Sequence, residues 1–240
     1  MSTASVHIAE LDSRSFERAL ASNPIIILPV GALEAHGPHL PLAADQIQAE
    51  ATADALARRV HGLVAPTIPY GSSPGARRFP GTVSLSLAQL SAYAYEVLRE
   101  FLRMGARRVL VLSGHAERGH MAALREAADR AMTEVASARI VVLSDYEFVY
   151  ELRGQLAPPT DGHAGLLETS RVMHVGGSVG PERPVVAYRG SSFVPGPPRP
   201  EEWPESVMGD TTAASAELGQ KIHEHVLDRL ETTVRDLLPA

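Results

Sequence analysis

The pattern of apolar segments in this chain predicts an α/β fold, a three-layer α-β-α sandwich with a mainly parallel sheet. Two observations lead to this prediction. The runs at 25–30 and 107–113 are apolar over most of their length, as in strands of a parallel sheet that are buried on both faces. Longer segments with helical periodicity repeatedly follow such runs, and successive strand–helix units place helices on both sides of the sheet.

Breakers and periodicity define the elements in order. Asn23-Pro24 ends a short helix, Gly105 is expected to cap a long one, and Asp45 is expected to N-cap the helix after the first strand. The expected helices are 11–21, 46–60, 87–104, 117–136, 164–174 and 212–238. The expected strands are 25–30, 63–68 (interrupted by Pro66), 107–113, 139–143 and 185–188, with irregular segments at 70–81, 153–161 and 190–204.

Composition narrows the possible classes of protein. Of the 240 residues, 45% are apolar and 21% are charged, and we expect one domain spanning 1–240. The net charge of -6 argues against a nucleic-acid partner, and the absence of Cys excludes thiolate ligands and disulfides. No signal-peptide pattern begins the chain and no apolar stretch reaches about 18 residues, so we expect no membrane partner and a cytoplasmic location.

The loop after the first strand carries a group of potential metal ligands. Glu34, His36, His39 and Asp45 follow within a short segment that Gly and Pro residues keep out of a helix. Because Glu34 and His36 are two residues apart, both side chains leave the same face of an extended chain. This combination predicts a metal site, with His39 expected to brace the loop rather than to bind metal.

A second group follows the strand at 107–113. His115 and Glu117 are also two residues apart, and the carboxyl ends of parallel strands lie at one edge of a sheet. Two divalent ions about 3.5–4 Å apart suit such ligands. The residue count allows Glu34, Asp45 and His115 on one ion, and His36, Asp45 and Glu117 on the other.

A third group lies at the start of the helix expected at 164–174. His163 precedes that helix and Glu168 is in its first turns. A histidine in this position beside two metal ions is a candidate proton shuttle. Glu168 is expected either to orient His163 near the substrate or to cap helix donors.

These groups, in this order, resemble the motifs of the creatininase (creatinine amidohydrolase) family. The resemblance spans about 25–222 and lies in these segments: Glu34-x-His36-Gly37-x-His39-Leu40-Pro41 with Asp45, Phe79-Pro80-Gly81-Thr82, Gly114-His115, His163-Ala164-Gly165-x-x-Glu168-Thr169-Ser170 and Met208-Gly209-Asp210-Thr211-Thr212-Ala213.

The resemblance implies a layered α/β fold, two divalent ions (Zn, Mn or Fe), cleavage of small amide C–N bonds and a homo-oligomer, commonly a hexamer. It places the metal ligands at Glu34, His36, Asp45, His115 and Glu117. A water or hydroxide shared by the two ions would attack the amide carbonyl. His163, the family's catalytic histidine, or Glu117 would pass a proton to the leaving nitrogen.

Departures from the family pattern bear on the substrate. Creatininase has tryptophans near the third motif, whereas the only Trp of this chain is Trp203, which argues against creatinine. Arg77 and Arg78 stand where many members have histidine, and with Ser73 they are expected to bind substrate, the guanidinium groups taking a carboxylate or phosphate.

Several alternatives stay open at this point. The substrate can be a cyclic amide, a formamide or a small peptide-like amide, as in relatives that act as a formamidopyrimidine-nucleotide deformylase or a mycofactocin precursor peptidase. The same ions can serve a hydrolase or isomerase of a sugar-derived lactone or cyclic ketone. A metal-binding protein without turnover is the remaining alternative.

Overall fold

Four parallel strands form the central sheet of this protein. The computed structural model describes residues 5–190 and 196–239. The strand order is β2-β1-β3-β4, with every pair parallel. The strands are β1 Ile25–Val30, β2 Gly62–Val64, β3 Arg108–Ser113 and β4 Arg139–Ser144.

Helices cover both faces of this sheet, which confirms the predicted three-layer α/β fold. On one face, residues of the first, third and fourth helices pack against the sheet, and the remaining helices pack on the other. The helices are α1 Ser13–Leu20, α2 Ala44–Val60, α3 Leu87–Arg103, α4 Arg118–Glu134, α5 Tyr146–Val149, α6 Leu166–His174 and α7 Ala216–Leu237. In the described part of the chain, no helix is both long and apolar enough to cross a membrane.

The central strand β1 supplies both cores. Ile25 and Ile27 pack among α2 and α7, whereas Ile26 and Leu28 pack on the opposite face among α3 and α4. This alternation follows from the two-residue period of a strand, so a strand buried on both faces must be apolar throughout. The continuous apolar run that predicted β1 has this physical cause.

A proline interrupts the hydrogen-bond ladder near the end of β1. Pro29 is in register with Leu112 of β3, but β2 on the other side has already ended at Val64. The carbonyl of Pro29 accepts a hydrogen bond from the amide of Ile68 at 3.0 Å. The carbonyl of Ile68 in turn accepts from the amide of Gly31 at 2.9 Å. Of the strand expected over 63–68, Leu63 and Val64 therefore lie in β2, and Ile68 forms an isolated bridge with Val30.

Several element boundaries differ from the predictions. Helix α2 begins at Ala44, so Asp45 lies in its first turn and makes no capping bond. The short helix α5 was not predicted. The strand expected at 185–188 is a two-residue strand, β5 Val185–Val186, which pairs antiparallel with β6 Gly209–Asp210 outside the main sheet. Residues 191–195 of the loop expected at 190–204 lie outside the described residues.

Two glycines let the start of α2 approach the ends of the strands. A Cβ on Gly114, just after β3, would overlap the carbonyl oxygen of Asp45. A Cβ on Gly31, just after β1, would lie 2.7 Å from the Cα of Gln46. Side chains at either position would therefore push α2 away from the sheet. These contacts bring the first turn of α2 to the edge where β1 and β3 end.

Gly219 in α7 offers a test of this close packing. A Cβ there would overlap the carbonyl oxygen of Ser170 in α6. A helical Gly→Ala change normally stabilises, but here we expect Gly219→Ala to lower the free energy of unfolding by about 1–3 kcal/mol. In Gly75→Ala, the control, the new Cβ meets nothing closer than 3.4 Å. Urea denaturation curves measure both, and equal stability of the two variants would contradict the packing argument.

Candidate metal centre

Five buried side chains meet where β1 and β3 end. Glu34 and His36 come from the loop after β1, and Asp45 from the first turn of α2. His115 follows β3, and Glu168 lies in the first turn of α6. Each is at most 7% exposed. Three separate stretches of chain therefore deliver two imidazoles and three carboxylates to one edge of the sheet.

The imidazole of His115 is held in one orientation by the backbone. Its Nε2 lies 3.1 Å from the carbonyl oxygen of Ser72, so Nε2–H donates there. Nδ1 is then left facing two carboxylates, with Glu34 Oε1 at 3.2 Å and Asp45 Oδ2 at 3.1 Å. In the neutral ring, Nδ1 presents a lone pair to these negatively charged oxygens.

His36 repeats this arrangement with its ring nitrogens exchanged. Its Nδ1 lies 3.0 Å from the carbonyl oxygen of Glu34 and donates to it. Its Nε2 faces Asp45 Oδ1 at 3.2 Å and Glu168 Oε1 at 3.5 Å. The two oxygens of Asp45 thus face different histidines, one on each side.

The contacts between the histidine nitrogens and the carboxylate oxygens require a positive charge between the two atoms. A neutral imidazole nitrogen and a carboxylate oxygen repel each other at this distance unless a proton or a cation lies between them. Glu34 Oε1 and Asp45 Oδ2 are also buried without a hydrogen-bond partner. Histidine nitrogen with carboxylate oxygen is a donor set that Zn, Mn and Fe accept. The residues therefore fit divalent metal binding.

The pKa shifts of the two histidines in the absence of a cation also indicate that this site favours positive charge. Burial lowers the pKa of His36, but the carboxylates of Asp45 and Glu168 outweigh burial and hold that pKa well above its usual range. The pKa of His115 is also raised, since Glu34 and Asp45 outweigh burial. Without metal, a proton on each ring takes the place of the cation.

Glu168 is fixed by four neighbours. Its Oε1 accepts hydrogen bonds from the Tyr146 hydroxyl at 2.5 Å and the Gln48 amide at 3.1 Å, and it also faces His36. Its Oε2 accepts from the backbone N–H of Ala164 at 2.6 Å. The sequence analysis missed Gln48 and Tyr146. Gln48 lies three residues after Asp45 on one helical face, a spacing that could have identified it.

Glu117 does not lie where the sequence analysis placed it. Its Oε2 accepts a hydrogen bond from the backbone N–H of His120 at 2.7 Å and caps α4. None of the three ligand groups among the described residues includes it, and the group with His36 and Asp45 contains Glu168 instead. Helix capping turns one oxygen of Glu117 toward the backbone, a contact that the two-residue spacing does not anticipate. Glu168 is therefore the candidate ligand that the structure adds, and ligation by Glu117 stays a prediction.

His163 stands beside these groups and faces a cavity. Its Nε2 donates to the carbonyl oxygen of Ala35 at 2.8 Å, and its Nδ1 lies 3.6 Å from Glu34 Oε1. The ring centroid is 4.3 Å from that of His36 and 5.2 Å from that of Trp203. The cavity has a volume of about 820 Å³ and is also lined by Ser73 and Glu117.

The two arginines expected to bind substrate lie outside the cavity lining. Arg77 donates to the carbonyl oxygen of Ser84 at 3.3 Å. Arg78 donates to the carbonyl oxygens of Pro198 and Trp203 and so holds the loop that forms one wall of the cavity. Substrate binding by these guanidinium groups stays a prediction, which their position outside the cavity lining does not favour.

Two further histidines support the loops. His39 Nε2 lies 2.9 Å from the Thr169 hydroxyl, which links the loop after β1 to α6. His120 packs edge-on against His115, with ring centroids 4.8 Å apart, and its Nδ1 accepts from the backbone N–H of Ser72 at 3.2 Å. Burial, reinforced by His115, lowers the pKa of His120 well below its usual range, so this ring stays neutral.

The fold and these ligand groups, which fit divalent metal binding, are typical of metal-dependent hydrolases. The family model described as creatininase, creatinine amidohydrolase, matches residues 9–234, and the chain belongs to this family. A creatinine amidohydrolase from Pseudomonas putida is 31% identical over 259 residues, covering 98% of each protein. The chain is therefore a hydrolase that acts on amide C–N bonds.

Other relatives carry different names. A mycofactocin precursor peptide peptidase from Mycobacterium tuberculosis is 29% identical, covering 97% of this chain and 93% of that protein. A 3-dehydro-scyllo-inosose hydrolase from Thermotoga maritima is 25% identical, covering 97% and 84%. A solved creatininase structure described with Mn has a TM-score of 0.87 at 29% identity, covering 98% of this chain and 100% of that one. A Zn-Zn form of a creatininase mutant has a TM-score of 0.88 at 28% identity, covering 99% and 100%.

The exchange of Glu117 for Glu168 can be tested by metal content. Glu168→Gln removes a charge that faces His36, so we expect the metal affinity to fall at least about tenfold. Glu117→Gln changes a helix cap and should keep its metal while losing about 1 kcal/mol of stability. Metal analysis after dialysis against a weak chelator measures both. Loss of metal in Glu117→Gln alone would restore the assignment made from sequence.

Metal uptake should release protons at pH 7. Nearby carboxylates outweigh burial and raise the pKa of His36 and of His115, so we expect each ring to carry a proton that it must lose to bind a cation. We expect release of about two protons per chain and weaker binding as the pH falls. Calorimetric titration in two buffers of different ionisation enthalpy measures the number. Binding enthalpies that are equal in both buffers would show that no proton leaves.

Proposed function

We propose that this protein hydrolyses a small amide at a centre of two divalent ions. One ion would be held by Glu34, Asp45 and His115, and the other by His36, Asp45 and Glu168. The opposed lone pairs and carboxylates carry this proposal, because Asp45 presents one oxygen to each histidine. Two bound divalent ions acidify water and polarise a carbonyl group.

The identity of the metal is part of the proposal. The donor set accepts Zn, Mn and Fe. Two structures of similar creatininases are described with Zn-Zn and with Mn, which supports these two ahead of Fe. Because no thiolate contributes, metal availability rather than ligand softness would decide between them.

His163 is suited to carry a proton to the leaving nitrogen. Its Nε2–H is committed to the carbonyl oxygen of Ala35, which leaves Nδ1 free to take up and release a proton beside Glu34. The hydroxyl of Ser206 also donates to Ala35, at 2.9 Å, and lies 3.4 Å from His163 Nε2. These contacts fix the ring while its free nitrogen faces the cavity.

Glu117 keeps a place in the proposal as a second proton acceptor. Its side chain lines the same cavity, although Oε2 is bound to the backbone of α4. Ser73 lies close to the centre, with its hydroxyl 3.4 Å from His115 Nε2, and we keep it as a substrate-binding candidate.

A cyclic amide substrate is compatible with the walls of the cavity. Creatinine was disfavoured because Trp203 is the only Trp of the chain and does not lie near the third motif in sequence. In the structure this indole stands edge-on to His163 and 5.6 Å from the ring of Phe79. An aromatic wall is therefore present next to the candidate proton carrier. The chain keeps this feature with one tryptophan that is distant in sequence.

A second candidate reaction is hydrolysis of a sugar-derived cyclic ketone or lactone. The relative named as a 3-dehydro-scyllo-inosose hydrolase favours it. The same ions would polarise a ketone or ester carbonyl in place of an amide. Peptide-like amides are a variant of the first candidate, supported by the relatives named as peptidases.

Two further proposals concern the whole chain. We propose that residues 1–240 form one domain, since both described cores share the strands of one sheet. We also propose a homo-oligomer, with the hexamer favoured by the family resemblance. The apolar side chains of Leu42, Val83 and Leu87 are exposed and offer surface for such contacts.

The function is tested with metal-loaded protein on creatinine, N-formyl amides, a small peptide amide, a sugar lactone and a cyclic ketone. We expect turnover of an amide. His36→Ala should lose both metal and activity, whereas His163→Asn should keep its metal and lose about 10²–10⁴-fold in kcat. Full metal and full activity in His36→Ala would overturn the assignment. Turnover of the lactone or ketone alone would favour the second candidate.

A further inference from the structure

Arg153 is a charged side chain in the cavity that the proposed reaction does not use. It follows α5 and lines the cavity that also contains His163 and Glu168. Its guanidinium carbon lies 3.5 Å from the centroid of the Tyr150 ring, so the group is stacked on that ring. Stacking fixes the plane of the guanidinium and leaves its N–H donors directed outward from the plane's edge.

These donors lack a protein acceptor in the described structure. No hydrogen bond or ion pair within 4.0 Å involves the guanidinium, and its Nε is buried without a partner. Asp161 is a candidate counter-ion, because its carboxylate interacts electrostatically with Arg153. Both of its oxygens already accept from the backbone N–H groups of Leu166 and Leu167, at 2.7 and 3.1 Å. A structural arginine would have its donors satisfied by such groups.

The guanidinium lies close to the reacting centre. Its Nη2 is 3.7 Å from the position that a Cβ on Gly162 would occupy, and His163 is the next residue along the chain. On its other side, the Tyr150 ring lies 5.4 Å from the ring of Tyr146, whose hydroxyl binds Glu168. Arg153 therefore stands within the length of a small molecule from both the proton carrier and the candidate metal ligands.

The other arginines of the cavity lining differ from Arg153. Arg199 donates to the carboxylate of Glu202 at 2.6 Å, so its charge is neutralised. Arg118 is exposed at the edge of the cavity. Among these three, Arg153 combines a fixed orientation with unpaired donors next to the centre.

We propose that Arg153 binds a carboxylate of the substrate, so that this enzyme acts on amides that carry a carboxylate away from the scissile bond. This inference rests on the proposed amide hydrolysis. One guanidinium presents a planar fork of two parallel N–H donors, which matches the two oxygens of a single carboxylate. The sequence analysis expected an anionic substrate from Arg77 and Arg78, and the structure points to a different arginine for that chemistry.

Matched pairs of probes test this assignment. Succinamate and glutaramate carry an amide and a carboxylate, and their diamides, succinamide and glutaramide, lack the charge. Ammonia release gives kcat/KM, and calorimetry on the metal-loaded protein gives binding independently of turnover. We expect the native protein to prefer the amido acids by about tenfold to hundredfold, mostly through KM.

Variants of the three arginines separate the possible sources of this preference. Arg153→Met should abolish it, and Arg153→Lys should retain part of it because an ammonium group keeps the charge without the fork. Arg199→Met is the matched control and should leave the preference intact. Metal content and circular dichroism of Arg153→Met confirm that the centre is still assembled. A preference that survives in Arg153→Met, or that is lost in Arg118→Met alone, overturns the proposal.

The outcomes also distinguish this proposal from the proposed reaction. Turnover of amido acids and diamides at equal kcat/KM overturns the role of Arg153 and leaves the hydrolase intact. Preferential binding of amido acids without turnover, abolished in Arg153→Met, supports the carboxylate site and counts against amide hydrolysis. Absence of both binding and turnover for all four probes at millimolar concentration overturns the carboxylate site.

Discussion

The repulsion between buried imidazole lone pairs and buried carboxylates is the constraint on which the rest of this structure depends. His36 and His115 each give one ring nitrogen to a backbone carbonyl and turn the other toward Asp45. Three carboxylates packed this closely in a dry environment would not remain ionised without compensating positive charge. Protons on the rings or bound cations would provide that charge. The loops, the glycine contacts and the supporting hydrogen bonds all serve to hold these groups together.

Three of the five candidate ligands, the two histidines and Glu168, are held in place by hydrogen bonds to other parts of the protein. Tyr146 and Gln48 fix Glu168, and backbone carbonyls fix both histidines. Outer contacts of this kind set the ring orientation and restrict motion of the ligands. An imidazole whose rear nitrogen is bound loses little additional freedom when a cation arrives. Most of the conformational entropy that these side chains would lose on binding a metal is therefore already lost when the protein folds.

The fold and much of the site could be predicted from sequence because they follow from local pattern. The continuous apolar run of β1 predicted a strand that is buried on both faces. The loops that follow parallel strands lie at one edge of the sheet. From that rule we expected His36 and His115 to lie close together, and in the structure both face Asp45. The rule did not anticipate the contact of Glu117, because a carboxylate at the start of a helix can cap the backbone N–H groups instead of facing a metal site. The two-residue spacing contains no information about this competing contact. Trp203 and Arg153 reach the cavity from irregular loops. In such loops no regular repeat links the position of a residue in the sequence to the direction of its side chain.

The proline in the central strand has a consequence for how the cavity is built. Pro29 offers no N–H toward the side of β2, so one donor of the ladder is missing there. The segment after β2 stays joined to β1 by the bonds from Ala65 N–H to Ile27 and from Ile68 N–H to Pro29, and by an isolated bridge between Val30 and Ile68. It crosses above the end of β1 and arrives at His115 with the carbonyl of Ser72. Pairing with β1 thus ends at Ile68, and the stretch of backbone that follows supplies the carbonyl that sets the tautomer of a histidine at the end of the next strand.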